Sequence, residues 1–213
     1  MRDRRGRSPD SMIPARTHSA SRRRGFSLLE LLVVISIISV LLGIMLAMLP
    51  GVRDAARRTA CSANLRSIGQ SLTLYLHAND DYFPQARYMP DPWLSGDPDP
   101  PFNEAIESEL DPDSLVYRCP GDPVVFDFEY EDEEGRLRNS GMSYTYIIAL
   151  SGLRFEDTFF ARVLRRLPSE TPVLHDYDGG AFETQDGRIV QVDFFHSSRN
   201  VLYVDGHAGP ATE

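Results

Sequence analysis

Apolar residues are distributed very unevenly along the chain, with one continuous apolar run followed by a longer region of mixed polarity. Residues 26–49 contain a single charged side chain, Glu30. As a helix rising about 1.5 Å per residue, this run extends roughly 36 Å, which exceeds the hydrocarbon core of a bilayer at about 30 Å. The apolar part of a cleaved secretory signal is shorter than this. We therefore predict a transmembrane helix over residues 26–49.

A second helical pattern follows the apolar run. Pro50 and Gly51 predict a kink or a short break where the helix leaves the lipid. Apolar residues then recur at spacings of three and four, at Leu65, Ile68, Leu72, Tyr75 and Leu76. This spacing predicts an amphipathic helix over residues 50–80, with its apolar face packed on the protein's own sheet.

The remaining residues, 81–213, predict a soluble head. Residues 84–114 are rich in Pro, Asp and Gly and predict a surface loop with one helical piece at 102–110. The acidic run 127–136 predicts a solvated hairpin tip or loop, and 155–167 an amphipathic helix. Residues 115–123 predict a short strand stopped by a turn, and further strands are predicted at 142–150, 172–176, 188–195 and 200–207. In 188–195, Val190, Val192 and Phe194 alternate with polar residues, which is typical of a sheet with one buried face. A leading helix followed by antiparallel strands indicates an α+β fold in which the helix lies across a small sheet.

The charge of the chain is strongly asymmetric. All 22 Lys and Arg residues are arginine. Residues 1–25 contain eight of these arginines and two acidic residues, so their net charge is +6, and that of the remaining residues is −15. An acidic head repels phosphate, which argues against nucleic acid as its partner. Basic residues before an apolar span remain in the cytoplasm, so the head is expected on the far side of the inner membrane.

The residues around the start of the span form a recognisable motif. The sequence Arg-Gly-Phe-Ser-Leu-Leu-Glu at 24–30, followed by an apolar helix, resembles the class III signal of type IV pilins and type II secretion pseudopilins. The resemblance implies that residues 1–25 are a leader, that a prepilin peptidase cuts after Gly25, and that Phe26 is then methylated. It also implies that Glu30 is needed for assembly. Cleavage creates an ammonium group four residues before Glu30, in its own chain and in neighbouring copies, which gives the carboxylate a cationic partner.

The resemblance implies a pilin-like fold and a filament subunit that is not an enzyme. Its partners would be the lipid bilayer, other pilin or pseudopilin subunits, and an inner-membrane assembly platform with its ATPase. We expect a pseudopilus subunit of type II secretion, because the head is short and strand-rich and lacks a cysteine pair around a C-terminal loop. A type IV pilin for adhesion or DNA uptake is the alternative. Residues 61–84 and 196–208 also resemble pilin-like proteins of planctomycete-type bacteria, including the motif of His196, Asp205, Gly206 and His207.

Candidate chemistry is confined to a few polar residues. Cys61 and Cys119 would lie in an oxidising compartment, where they either form a disulfide or remain two unpaired thiols. No cofactor is required, but Asp176 and Asp178 near glycine turns are candidate calcium ligands, as the major pseudopilin binds calcium in a late loop. Histidines and aspartates gather at the ends of predicted strands: His175, Asp176, Asp178, Asp193, His196, Asp205 and His207. A membrane-anchored periplasmic metal-dependent enzyme using these residues is therefore the rival hypothesis.

Overall fold

The computed structural model describes residues 26–94, 98–132 and 134–211, so the predicted leader 1–25 with Gly25 lies outside the described residues. The described residues fall into two compact units, which are divided between Ala47 and Met48. The first helix, α1, spans Leu28–Ala78 and therefore contributes to both units.

Within the first unit, α1 is apolar on all sides. The most apolar 18-residue window of α1 has a mean hydropathy of 3.0, and none of this window is buried. In the described part of the chain, α1 is the one helix that is long and apolar enough to span a membrane. Pro50 lies inside α1, so the predicted short break is wrong. A proline removes only one backbone hydrogen bond from a helix, which neighbouring turns can tolerate. The predicted kink stays a prediction.

The described residues of the second unit form eight short strands in three antiparallel sheets. They are β1 (Glu129–Glu131), β2 (Leu137–Asn139), β3 (Tyr144–Tyr146), β4 (Pro172–Asp176), β5 (Gly180–Glu183), β6 (Ile189–Val192), β7 (Asn200–Tyr203) and β8 (Ala208–Pro210). The central sheet has the order β3-β4-β7-β8, while β1 with β2 and β5 with β6 form separate hairpins. The α+β, pilin-like layout predicted from the sequence is confirmed.

The amphipathic part of α1 packs on the central sheet as its periodicity predicts. Its buried residues are Cys61, Leu65, Ile68, Gly69 and Leu72. At Gly69 the approach is closest, because an added Cβ would lie 2.7 Å from Leu202 Cδ1 and 3.1 Å from the carbonyl oxygen of Gly206. Gly206 has a φ of 84° and belongs to the tight turn between β7 and β8. The Asp-Gly-His motif therefore forms a turn that packs against α1.

Several predicted elements are shorter or different in the structure. The short strand predicted within 115–123 is wrong, because Leu115–Tyr117 forms a 3₁₀ turn in which Ser114 Oγ accepts the Val116 N–H. The turn predicted to follow it is present, since the Asp122 N–H donates to the carbonyl oxygen of Cys119. The helices predicted at 102–110 and 155–167 shrink to α2 (Phe102–Ala105) and α3 (Phe159–Arg162). The predicted hairpin at 127–136 is confirmed by the β1–β2 pairing.

The alternation predicted in 188–195 holds only in part. Val192 is fully buried, but Phe194 is 65% exposed, because β6 ends at Val192 and the strand geometry that would alternate the side chains ends with it. The core also contains aromatic residues, among them Trp93, whose ring lies 4.8 Å from that of Phe128 and 5.3 Å from that of Tyr177.

Candidate functional site

The first turn of α1 holds the residues of the predicted processing and assembly motif. Glu30 Oε2 accepts the backbone N–H of Ser27 at 2.9 Å, and Ser27 Oγ accepts the N–H of Leu29 at 3.3 Å. The glutamate contact is one half of a capping box, and the serine satisfies the N–H of the second helical residue and not of the third. The Ser-x-x-Glu spacing could have predicted it from the sequence. Glu30 therefore binds the backbone nitrogen of Ser27, the residue that follows Phe26. Phe26 itself is 79% exposed.

The apolar side chains that follow are exposed within their own unit. Leu28 is 87% exposed and Leu32 64%, and similar values continue along the helix to Met48. A soluble protein rarely leaves so large an apolar surface uncovered. This surface can be covered by lipid or by the apolar helices of other copies.

A second constellation lies inside the head, and the sequence did not predict its composition. It consists of Cys61, Cys119, Asp176 and His196, which we call the buried cluster. One ligand-type atom from each residue lies within 4.8 Å of the others, and all four residues are buried. The most exposed of them is His196, at 4%.

Four separate segments position the buried cluster. Cys61 lies on the buried face of α1, and Asp176 ends β4 in the middle of the central sheet. Cys119 begins a tight turn in which its carbonyl oxygen accepts the N–H of Asp122 at 2.9 Å. His196 lies in the loop that precedes β7. The cluster therefore connects the helix, a loop, a central strand and the last hairpin.

Two short contacts link the cluster in pairs. The Cys61 thiol donates to Asp176 Oδ1 at 3.2 Å, and Cys119 Sγ lies 3.1 Å from His196 Nε2. The two pairs also interact, because the contact between the two sulfurs is the largest influence on the pKa of each cysteine.

Each member of the cluster also has an outer neighbour. Tyr144 Oη lies 3.4 Å from Cys61 Sγ, and the N–H of Asn200 donates to Asp176 Oδ2 at 2.7 Å. A backbone hydrogen bond from Gly121 stabilises the Cys119 thiolate. His196 Nδ1 is buried and has no hydrogen-bond partner among the described residues, and Asp54 Oδ1 lies 3.9 Å away from it.

Gly121 determines how closely the histidine approaches. A Cβ at this position would lie 2.4 Å from His196 Cε1 and 2.9 Å from both His196 Nε2 and the carbonyl oxygen of Phe195. Only glycine leaves room for the imidazole ring over this turn.

The electrostatics of the cluster favour one thiolate. The hydrogen bond with Cys61 lowers the pKa of Cys119 to about 7, against the opposing effect of burial and with help from His196. The same contact raises the pKa of Cys61, and burial raises it further. Burial also raises the pKa of Asp176 to about 6. Burial opposes the charged form of His196, but its contact with Cys119 leaves its pKa raised overall.

The remaining polar residues of the predicted strand ends do not join the cluster. The side chain of Asp178 is directed to Arg199 Nε at 2.6 Å and to the N–H of Phe195 at 2.9 Å. His175 Nδ1 contacts the carbonyl oxygen of Asp176 at 2.8 Å. His207 pairs with Asp205 at 2.5 Å on the exposed β7–β8 turn.

Two predictions from the sequence are affected by this arrangement. Cys61 and Cys119 are both free here, with Asp176 beside the first sulfur and His196 beside the second, and a disulfide between them stays a prediction. The candidate calcium ligands Asp176 and Asp178 contact separate partners, the former in the cluster and the latter at Arg199, and calcium binding by them stays a prediction.

The described residues form an α+β protein whose first helix is apolar and exposed, and Glu30 accepts a backbone N–H at the start of that helix. Residues 20–46 match the prokaryotic N-terminal methylation motif, which is the type IV pilin and pseudopilin signal. The motif implies processing by a prepilin peptidase and assembly with other pilin subunits, as expected of a structural subunit anchored in the inner membrane. No curated protein and no solved structure matches this chain.

Proposed function

We propose that this protein is a subunit of a type II secretion pseudopilus, cut after Gly25, methylated at Phe26 and polymerised through α1. The observation that carries the proposal is the methylation motif over residues 20–46, which places a glutamate at the start of an exposed apolar helix. The arginine-rich leader would remain in the cytoplasm and the head would face the periplasm.

Assembly replaces lipid contacts of α1 by contacts with other copies. Lipid tails are as apolar as leucine, so packing and polar contacts, not the hydrophobic effect, must favour helix association in the membrane. The Glu30 carboxylate supplies such a contact. It already accepts the Ser27 N–H, and an ammonium group at Phe26 of a neighbouring copy would pair with it.

The head supports a pseudopilin over an adhesive pilin. Its strands are short, and both cysteines are internal to the fold, neither of them bracketing a C-terminal loop. The rival hypothesis of a periplasmic enzyme requires an accessible site. The buried cluster is sealed, and the groove of about 1110 Å³ beside the β1–β2 hairpin is lined by neither cysteine nor histidine.

The first test is the mature N-terminus. We expect mass spectrometry of the membrane-extracted chain to find a methylated Phe26, and a Gly25→Val variant to retain its leader. Gly43→Ala is the control, because an added Cβ there meets nothing within 4 Å. A wild-type chain that keeps its leader in cells with an active prepilin peptidase would refute the proposal.

The second test separates the charge of Glu30 from its capping role. Glu30→Gln keeps an acceptor for the Ser27 N–H but removes the charge, whereas Ser27→Ala removes the cap hydroxyl and keeps the carboxylate. Both variants should insert and be cut. We expect only Ser27→Ala to enter filaments collected by ultracentrifugation, and normal assembly of Glu30→Gln would rule out the ion pair.

A further inference from the structure

We propose that the buried cluster of Cys61, Cys119, Asp176 and His196 is a closed, four-ligand zinc site that fastens α1 to the sheet of the head. This function is independent of the pseudopilus assignment, because it concerns the stability of the folded head. It would hold equally for a pilin or for any other anchored protein with this fold.

The geometry of the cluster is close to that of a tetrahedral ion site. Zinc binds sulfur at about 2.3 Å and nitrogen or oxygen at about 2.0 to 2.2 Å, so tetrahedral ligands lie about 3.3 to 3.8 Å from one another. The Cys61–Asp176 and Cys119–His196 contacts are 3.2 and 3.1 Å, and no pair of ligand atoms exceeds 4.8 Å. Shifts of a few tenths of an ångström to about 1 Å would bring all four to a common centre.

The donor set selects among metals. Two thiolates and an imidazole are soft and borderline ligands, which favour zinc and disfavour calcium and magnesium. Four protein ligands leave no open position for water or substrate, which is typical of a structural and not a catalytic zinc site. Two thiolates and one carboxylate around a divalent ion leave a net charge of only −1, whereas the same three anions without an ion could not remain ionised together in the core.

The outer contacts orient the ligands toward the common centre. Metal-binding histidines commonly donate their second ring N–H to a carboxylate, and ligating sulfurs and carboxylates are themselves hydrogen-bonded. His196 directs Nε2 into the cluster and Nδ1 toward Asp54, with no closer acceptor for that nitrogen among the described side chains. Tyr144, Gly121 and Asn200 contact the other three ligands.

Zinc at this position would hold together segments that are far apart in the sequence. Cys61 and His196 are the first and last ligands, so the ion would close a loop that contains most of the head. Because the site exists only in the folded chain, the free energy of zinc binding contributes to the stability of the fold.

The proposal is tested by metal analysis of the full chain, extracted from membranes in mild detergent after growth with zinc. Thiols are alkylated before lysis so that oxidation during purification does not remove ligands. We expect plasma mass spectrometry to find about one zinc ion per chain. Cys119→Ser and His196→Gln should lose the metal, whereas His207→Gln, which changes a histidine on the exposed turn, should retain it.

A cobalt experiment covers the case in which the ligand variants fail to fold. Wild-type protein is stripped with a chelator under reducing conditions and titrated with Co²⁺. We expect a thiolate-to-cobalt charge-transfer band in the near ultraviolet and intense visible bands, as tetrahedral coordination by sulfur produces, and Zn²⁺ should displace both. Absence of these bands, a Cys61–Cys119 disulfide in protein alkylated before lysis, or full zinc content in Cys119→Ser would each overturn the proposal.

Discussion

Gly121 offers the sharpest test of the geometry around the buried cluster. An alanine Cβ at this position would lie 2.4 Å from His196 Cε1 and 2.9 Å from the carbonyl oxygen of Phe195. The imidazole cannot rotate away easily, because the side chain of His196 is fully buried. The carbonyl oxygen is backbone and is even less able to move. Gly121→Ala must therefore shift the Cys119 turn, the histidine or both.

The expected destabilisation by Gly121→Ala follows from the free-energy cost of overpacking a core. Inserting a methyl group into a tightly packed core typically destabilises a protein by about 1 to 3 kcal/mol. For a domain of the size of this head, each kcal/mol lowers the melting temperature by about 2 to 4 °C. We therefore expect Gly121→Ala to lower the melting temperature by about 2 to 12 °C.

The assay is thermal unfolding followed by the fluorescence of Trp93, which is 1% exposed and is the sole tryptophan of the chain. Gly209→Ala is the matched control, since a Cβ there meets nothing within 4 Å, and its melting temperature should stay unchanged or rise slightly. In a His196→Ala background the conflict with the imidazole is gone and that with the carbonyl oxygen of Phe195 remains, so the additional effect of Gly121→Ala should be smaller but not absent. Equal melting temperatures for Gly121→Ala and Gly209→Ala would refute the close approach of His196 to this turn.

Two further substitutions test the polar contacts that support the site. Asp122→Ala removes a buried carboxylate that accepts three backbone N–H groups and a serine hydroxyl, and should destabilise the head by about 2 to 4 kcal/mol in urea unfolding. Asp127→Ala, which breaks only an exposed ion pair, should change stability by less than about 1 kcal/mol. Arg199→Gln leaves the fully buried Asp178 carboxylate without its cation and should cost about 1 to 3 kcal/mol, whereas Arg188→Gln, from an exposed pair, should be nearly neutral. Equal stabilities within either pair would contradict these assignments.

The N-terminal part of the protein could be predicted because its signals are local. The motif at residues 24–30 is read within seven consecutive positions, and the span requires only the length and polarity of one segment. The buried face of α1 was also predictable, since a spacing of three and four residues places Leu65, Ile68 and Leu72 on one side.

The strands were harder to predict because most of them have only three or four residues. A period of two cannot be established over Gly180–Glu183 or Ala208–Pro210, and glycine in these strands weakens the composition signal further. The predicted strand around Cys119 was wrong because a side-chain cap and a tight turn, both local polar contacts, outweigh the β-propensity of its apolar residues.

The buried cluster could not be assembled from the sequence, since its four members lie in four segments that only long-range pairing brings together. One local signal was available. Cys61 lies four residues before Leu65 and so shares the apolar face of α1, which indicates a buried residue. After Cys119, the sequence Pro-Gly-Asp indicates a tight turn. Neither the helical spacing of Cys61 nor this turn indicates that the two cysteines are neighbours.

The free-energy cost of burying the cluster favours a bound metal ion over the same polar groups without one. Burying ionisable groups destabilises a fold unless they are paired or coordinated, and here four such groups are buried together where α1, β4 and two loops meet. If free zinc exceeds the dissociation constant about 100-fold, binding contributes about 2.7 kcal/mol, a substantial part of the 5 to 15 kcal/mol that is typical of a domain. Leucine-sized residues at the same positions would pack without any ion, so a fold that needed only a core would not require this combination of ligands. The stability of the head should therefore depend on zinc, and chelation should lower the melting temperature of the wild-type chain but not that of Cys119→Ser.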